Sequence, residues 1–204
     1  MYREYSKLEL LKVAETKDAS NFIMLRCLVE VKSALMSMVV GVTWAEWRQS
    51  DSERGSMVRR VLIDEDWWRK VEFLLKFTSP TFELLRAADT DRPFLGEIYD
   101  GMDTMVEKTM EIITQEAPTL FFVEVDFVEH VRSIIVTRWN GFNTPLHTLA
   151  HSLNPKFYDE DFIALSNGKR KAPHKDKEVA TRVKKSFQRL FPSSQQIEVR
   201  EEFA

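Results

Sequence analysis

Apolar residues recur every three or four positions through most of the chain, which is the spacing of amphipathic helices. The segment "KDASNFIMLRCLVEVKSALMSMVV" (17–40) predicts a long first helix with Asp18 or Ser20 as its N-cap. The clearest apolar stripe runs through 92–116, at Leu95, Ile98, Met102, Met105, Thr109 and Ile112. The pattern therefore favours a mainly α-helical chain.

Local capping signals predict where several other helices begin and end. In a capping box, a Ser or Thr and a Glu three residues later satisfy each other's backbone amides. Two such pairs predict the starts of two short helices: Thr43 with Glu46, and Ser50 with Glu53. The next helix, in "DEDWWRKVEFLLKFTSP" (64–80), is expected to end near Ser79, and Pro80 is expected to open a further helix.

Two later segments carry a weaker or mixed pattern. "FFVEVDFVEHVRSIIVTRW" (121–139) alternates with period two before it settles into helical spacing, and we predict a helix there. After Pro173 the helical period returns at Val179, Val183, Phe187 and Leu190. The polar sequence "PSSQQIEVREEFA" follows.

Two histidines four residues apart, His147 and His151, lie in a short segment with clear boundaries. Thr144-Pro145 is a cap followed by a first-turn proline, and Asn154-Pro155 stops the helix, so "PLHTLAHSL" is predicted as about two helical turns. A zincin site requires a glutamate directly after the first histidine, and Thr148 stands there instead. We therefore predict no metal site and no cofactor.

Composition limits the class of protein. The 204 residues are 44% hydrophobic, and the single Cys27 excludes an internal disulfide and favours a reducing compartment. No apolar run reaches the roughly 18 residues that span a bilayer, and the N-terminal sequence lacks a signal peptide's apolar stretch. We therefore expect a protein that is neither secreted nor bound to a membrane.

Charge is distributed unevenly along the chain. The net charge is −3, yet residues 167–189 hold nine Lys and Arg against two acids, a net charge of +7. The rest of the chain therefore carries about −10. A basic run of this kind can contact phosphates or act as a nuclear address, and it is also found on solvated loops and helix faces.

One stretch carries a family resemblance. "RWNGFNTPLHTLAHSLNPKFY" (138–158) resembles the segment of plant hAT-superfamily transposases in which an Arg-Trp pair precedes "PLH" and "LNP". The upstream segments "SNFIMLRCLVEVKSALMSMVV" and "WWRKVEFLLKFTSPTFELLRAADTDRPFLGEIYDGMD" are similar to that family and occur in the same order. The likeness covers about residues 14–160. In the family, this region is a helical insertion in a ribonuclease H-like catalytic core.

The resemblance implies a fold and a domain plan. We expect a multi-helix bundle like that insertion, with the catalytic α/β core largely absent. Residues 1–160 would form the helical region, and 161–204 a basic loop, a helix and a polar tail. The family cuts DNA with three separated acids that hold divalent metal. None of the three can be matched here, so we assign no catalytic residue and expect no enzymatic activity.

The resemblance also breaks down at one position. The family commonly has Thr-Arg-Trp or Thr-Arg-Phe before its first helix, and the aromatic resembles a residue that stacks on a flipped base. Here the stretch reads "TKDAS" (16–20), with Lys17 and Asp18 in those places. An acid offers no stacking face and repels phosphate, which argues against flipped-base binding.

Function is therefore expected from binding. We predict a transposon-derived, hAT transposase-like fragment that keeps residual DNA binding and locates to the nucleus, or otherwise to the cytoplasm. The candidate nucleic-acid contacts are Arg138, Trp139, Lys169, Arg170, Lys171, Lys184 and Lys185. The alternative is a protein-interaction or dimerisation module without DNA binding, whose partner is a second copy or a related transposase-like protein.

Overall fold

A computed structural model describes residues 1–11, 19–47, 49–124, 126–164 and 170–191. Within these ranges the chain is mainly helical and contains no β-strand. The α-helices are α1 (Tyr2–Tyr5), α2 (Ser20–Glu30), α3 (Lys32–Val40), α4 (Val42–Ala45), α5 (Glu53–Ile63), α6 (Glu65–Ala88), α7 (Ile98–Glu116), α8 (Phe127–Phe142), α9 (Pro145–Ser152), α10 (Glu160–Ala164) and α11 (Lys177–Leu190). Short 3₁₀ turns lie at Ala117–Thr119, Pro155–Tyr158 and Pro173–Lys175.

The chain forms two compact units. Unit 1 comprises Met1–Leu85 and Lys108–Val125, and unit 2 comprises Arg86–Glu107 and Asp126–Ala204. The boundary that the sequence predicts near residue 160 stays a prediction. Within the described ranges, no helix is both long enough and apolar enough to cross a membrane.

The core of unit 1 is built around Trp68, which is fully buried. Its indole N–H donates a 2.9 Å hydrogen bond to the Leu62 carbonyl, so the polar edge of the ring is satisfied inside the core. The other buried members are Val31, Leu35, Met38, Val39, Trp44 and Leu62. Val31 belongs to this core and also separates α2 from α3 (φ −102°, ψ 8°). The single long first helix expected from the sequence is therefore two helices.

The start of α5 differs from the predicted capping box. Ser52, not Ser50, is the N-cap, and its hydroxyl accepts the Gly55 amide at 3.1 Å. Gly55 explains the shift, because a Cβ there would collide with the backbone oxygen of Gln49. This close approach of backbone to backbone brings the preceding turn under the first turn of α5 and leaves Ser50 buried. The other box is wrong as well, since Thr43 lies inside α4.

The break predicted at Pro80 is also wrong, because α6 continues through it to Ala88. Proline cannot donate an amide hydrogen bond to the preceding turn, which normally destabilises a helix interior. Here the ring of Pro80 is buried, and the helix beyond it places Phe82 against Phe22, with stacked rings 4.2 Å apart. Tertiary packing thus offsets the free-energy cost of a proline inside the helix.

Other predicted helices are confirmed with adjusted ends. α9 covers Pro145–Ser152 with Thr144 as its N-cap, as its flanking prolines indicate. α8 begins at Phe127. Of the alternating residues before it, Phe121 and Val123 lie in a turn and a bend, and Val125 lies outside the described residues. None of the residues of α8 is fully buried, although the helix carries many apolar side chains.

Candidate nucleic-acid interface

α11 presents the basic segment in unit 2. The carboxylate of Asp176 caps the helix by accepting the amides of Glu178 and Val179, at 2.8 and 3.2 Å. Aspartate is among the preferred N-cap residues, and its charge suits the positive end of the helix dipole. The 3₁₀ turn at Pro173–Lys175 leads directly into this cap. Local sequence therefore determines where the helix starts.

The inner face of α11 is attached to α9. Val179 and Ser186 are almost fully buried. The Ser186 hydroxyl donates to the Pro145 carbonyl at 2.8 Å, which satisfies a polar group that the protein surrounds. This contact fixes the rotation of α11 about its axis, so the opposite side chains face outward.

The outer face of α11 is basic. One side of this helix carries four polar side chains: Lys177, Lys184, Lys185 and Gln188. Their spacing places them together, because residues seven and eleven positions apart lie one above the other on a helix. All are exposed, as is Arg189 near the last turn. Within the part of the chain that the structure describes, no carboxylate forms an ion pair with Lys184, Lys185 or Arg189. No described acid therefore competes with an external anion for these cations.

Acidic residues gather at the opposite end of the helix. Asp176 and Glu178 stand at the first turn of α11, near Asp100 and Asp103 of α7. The pKa of Asp103 reaches about 6 through partial desolvation of its carboxyl group and through the negative charges of the other three acids. Lys175 and Lys177 are exposed beside these acids, so charges of both signs meet at the start of α11.

Arg170 is held inside unit 2. Its guanidinium forms two hydrogen bonds to the carboxylate of Asp100, at 2.7 and 3.1 Å, and one to the Thr104 hydroxyl at 3.1 Å. It also lies 4.5 Å from the ring centre of Phe162. A forked pair of this kind is a strong, directional interaction. Arg170 therefore ties the basic segment to α7 instead of pointing to solvent.

The remaining candidates in the sequence fall in different settings. Arg138 and Lys171 are exposed, whereas Lys169 lies outside the described residues. Trp139 is half-buried, with its ring 6.0 Å from Tyr99 and 5.3 Å from Phe142. The Trp139 ring thus packs among aromatic neighbours within unit 2. Of the seven candidate residues, Lys184 and Lys185 are the two that lie exposed on α11.

The two histidines of α9 serve the packing of unit 2. The backbone amide of Thr144 donates to Nδ1 of His147 at 3.1 Å, so His147 stands where a capping box has Glu or Gln. His151 is buried between Tyr99 and Phe157, with ring centres 5.1 and 4.0 Å away. Burial lowers the pKa of His151 against the opposing effects of Asp100, Gly96 and Asp176. Across the described ranges, no three His, Cys, Asp or Glu side chains are placed to hold a metal ion.

Two contacts of this region were not predicted from the sequence. Arg170 and Asp100 are 70 residues apart, and Ser186 and Pro145 are 41 apart. No local pattern links either pair. Only the heptad spacing of Lys177 and Lys184 was a usable signal, because it places both cations on one side of a helix.

Comparison with known proteins adds no assignment. No protein-family model, no curated protein and no solved structure matches this chain.

Proposed function

We propose that this chain is a non-catalytic helical module that binds nucleic acid through the outer face of α11. The observation that carries the proposal is the exposed pair Lys184 and Lys185, neither of which has an acidic partner among the described residues. The resemblance to the helical insertion of hAT transposases supports DNA as the ligand and the nucleus as the location. The family's three metal-binding acids have no match, so binding without cleavage is the activity we propose.

Phosphate contacts supply the binding energy in this proposal. Each lysine that neutralises a phosphate releases condensed counterions, so affinity falls steeply as salt rises. Three cations at the end of α11, Lys184, Lys185 and Arg189, are available for such contacts. Weak, micromolar binding with a salt slope of about 3 is therefore the expected behaviour.

Charge reversal at Lys184→Glu and Lys185→Glu together is expected to weaken DNA binding by about tenfold or more at low salt. The two side chains are exposed, so the melting temperature should change little. Fluorescence anisotropy with labelled DNA measures the affinity. The matched control is Arg59→Glu with Arg60→Glu, an adjacent exposed pair on α5 that changes the net charge equally. Equal losses from both double variants, or no loss from the lysine pair, would contradict the proposed surface.

A second candidate function is self-association through α8. Three apolar side chains of this helix are largely exposed: Ile134 at 50%, Val136 at 44% and Phe142 at 46%. Ile134 and Phe142, eight residues apart, lie toward the same side of α8, and exposed apolar side chains that share a helix face are candidates for a protein contact.

If α8 pairs between chains, Ile134→Glu is expected to convert a concentration-dependent dimer into a monomer, because it buries a charge in an apolar interface. Sedimentation velocity over a range of concentrations measures the mass. Met57→Glu, an equally exposed apolar position on α5, is the matched control. A wild-type chain that stays monomeric at high concentration would remove this candidate.

A further inference from the structure

His151 is an ionisable side chain held inside an aromatic site of unit 2. The imidazole is 7% exposed and lies between the rings of Tyr99 on α7 and Phe157 in the 3₁₀ turn after α9. A hydrogen bond also joins it to the Gly96 backbone. Gly96 itself packs closely on α9, since a Cβ there would lie 2.9 Å from the Ala150 carbonyl oxygen. The ring thus connects α9 to the segment 96–99 and to the turn at Pro155–Tyr158.

The site suits a neutral imidazole and not a charged one. Nδ1 of His151 is buried without a hydrogen-bond partner among the described residues. Protonation turns both ring nitrogens into charged donors, and a buried charged donor that lacks an acceptor costs far more than the same group in water. Cation–π attraction from the two rings offsets only part of this cost, because burial still lowers the pKa of His151. Protonation therefore favours a conformation in which the ring reaches solvent.

The charged groups around the site do not reverse this balance. On the elements packed against it they are Asp100, Asp103, Asp176, Glu178, Lys156, Arg182, and the exposed His174 and Lys175. Three salt bridges pair several of them: Asp100 with Arg170, Glu178 with Arg182, and Lys156 with Glu97. Asp100 and Asp176 attract a proton to His151, yet burial is the larger effect and the pKa falls. Tyr99 stays neutral, because burial raises its pKa to about 12.

We propose that unit 2 contains a proton-operated release, in which protonation of His151 separates α9 from α7 and from the turn at Pro155–Tyr158. In the open form the histidine keeps its ordinary pKa of 6.5, and in the closed form the pKa is lower. The open form therefore binds more protons, so the closed form is fully stabilised above about pH 6.5 and loses this stabilisation as the pH falls further. Between the two pKa values the opening constant rises about tenfold per pH unit.

Asp103 opposes this release. Its pKa is raised from 3.8 to about 6 in the closed unit, so the closed form takes up this proton first and gains stability as the pH falls through about 6. Asp103→Asn removes this opposing gain. We therefore expect the variant to be more stable than the wild-type chain at pH 7 and to open more steeply as the pH falls below about 6.5.

Urea unfolding followed by the indole N–H signals of tryptophan in NMR spectra tests the release, because these signals report on each unit separately. Trp139 lies in unit 2 beside Tyr99, whereas the other tryptophans lie in unit 1: Trp44, Trp47, Trp67 and Trp68. As the pH is lowered from about 7.5 to about 5.5, across the ordinary titration range of histidine, the urea midpoint of the Trp139 signal is expected to fall. The fall should be larger in Asp103→Asn.

Variants at His151 show whether this group causes the fall. His151→Gln keeps a donor amide and His151→Phe keeps an aromatic ring, and neither side chain can take up a proton. Both variants should remove most of the fall in the Trp139 midpoint. The matched control is His174→Gln, which removes an exposed histidine of the same unit and should leave the fall unchanged.

A Trp139 midpoint that stays constant with pH in Asp103→Asn would overturn the release, and so would an equal fall in His151→Gln and in the wild-type chain. Should both His151 variants fail to fold, the ring C–H signals of His151 in the wild-type chain decide the question. A titration midpoint at or above the ordinary 6.5 contradicts a penalised imidazolium, and one below it supports the release. None of these outcomes depends on whether the chain binds nucleic acid.

Discussion

Trp68→Ala is expected to lower the free energy of unfolding by about 3–5 kcal/mol, the largest effect of any substitution we predict. The side chain is fully buried in the core of unit 1 and packs edge-on against Trp67, with ring centres 4.8 Å apart. Its removal leaves a cavity and also leaves the Leu62 carbonyl without its indole donor. Both the cavity and the lost hydrogen bond destabilise the folded state.

The adjacent Trp67 is the matched control for Trp68. It has the same side chain in the same helix but is only half-buried, so Trp67→Ala should cost clearly less. Trp68→Phe should fall between them, because it keeps the ring packing and loses the hydrogen bond. Urea denaturation followed by circular dichroism measures all three without depending on tryptophan fluorescence. A larger loss from Trp67→Ala than from Trp68→Ala would show that the core is centred elsewhere.

Arg170→Ala is expected to cost about 2 kcal/mol of stability and to leave the salt dependence of DNA binding unchanged. The guanidinium is bound to Asp100 and Thr104, and the pair is mostly screened from solvent, with 31% and 20% of the two charged side chains exposed. Removing one partner leaves the other charge partly buried and unpaired, which is more costly than losing a surface ion pair.

Lys171 supplies the control for this second prediction. It lies next to Arg170, is exposed, and Lys171→Ala should change stability by less than about 0.5 kcal/mol. Asp100→Asn tests the pair from the other side, and the double variant with Arg170→Ala should cost less than the sum of the two single changes. If Arg170→Ala weakens DNA binding without destabilising the chain, Arg170 is a ligand contact and not a structural one.

Local signals in the sequence predicted part of the fold correctly. The proline and cap residues around α9 and the apolar period in α7 and α11 are short-range patterns, and the helices lie where those patterns indicate. Pro80 and Ser50 were misread for one shared reason. Proline favours the first turn of a helix and serine favours the N-cap. Both residues are buried instead, by contacts whose energy exceeds these local preferences.

The candidate interface was predictable only in part. Charge clustering in 167–189 and the heptad spacing of Lys177 and Lys184 mark a basic helix face, and the structure exposes that face. The sequence treats Arg170 as equivalent to Lys184, because both belong to one basic run. The fold separates them, since a carboxylate from α7 binds Arg170 and no described acid reaches Lys184.

By itself, then, the sequence determined the helical class of this protein, the limits of α9, and the apolar period of α11. These properties depend on dihedral preferences and on side-chain spacing within a few residues, and they do not require knowledge of the partners of a helix. Only the tertiary structure decided that α6 passes through Pro80, that Trp139 has Tyr99 as a neighbour, and that Arg170 is bound to Asp100. Each of these depends on a contact between residues distant in the chain, and such contacts are chosen by the packing of the whole unit.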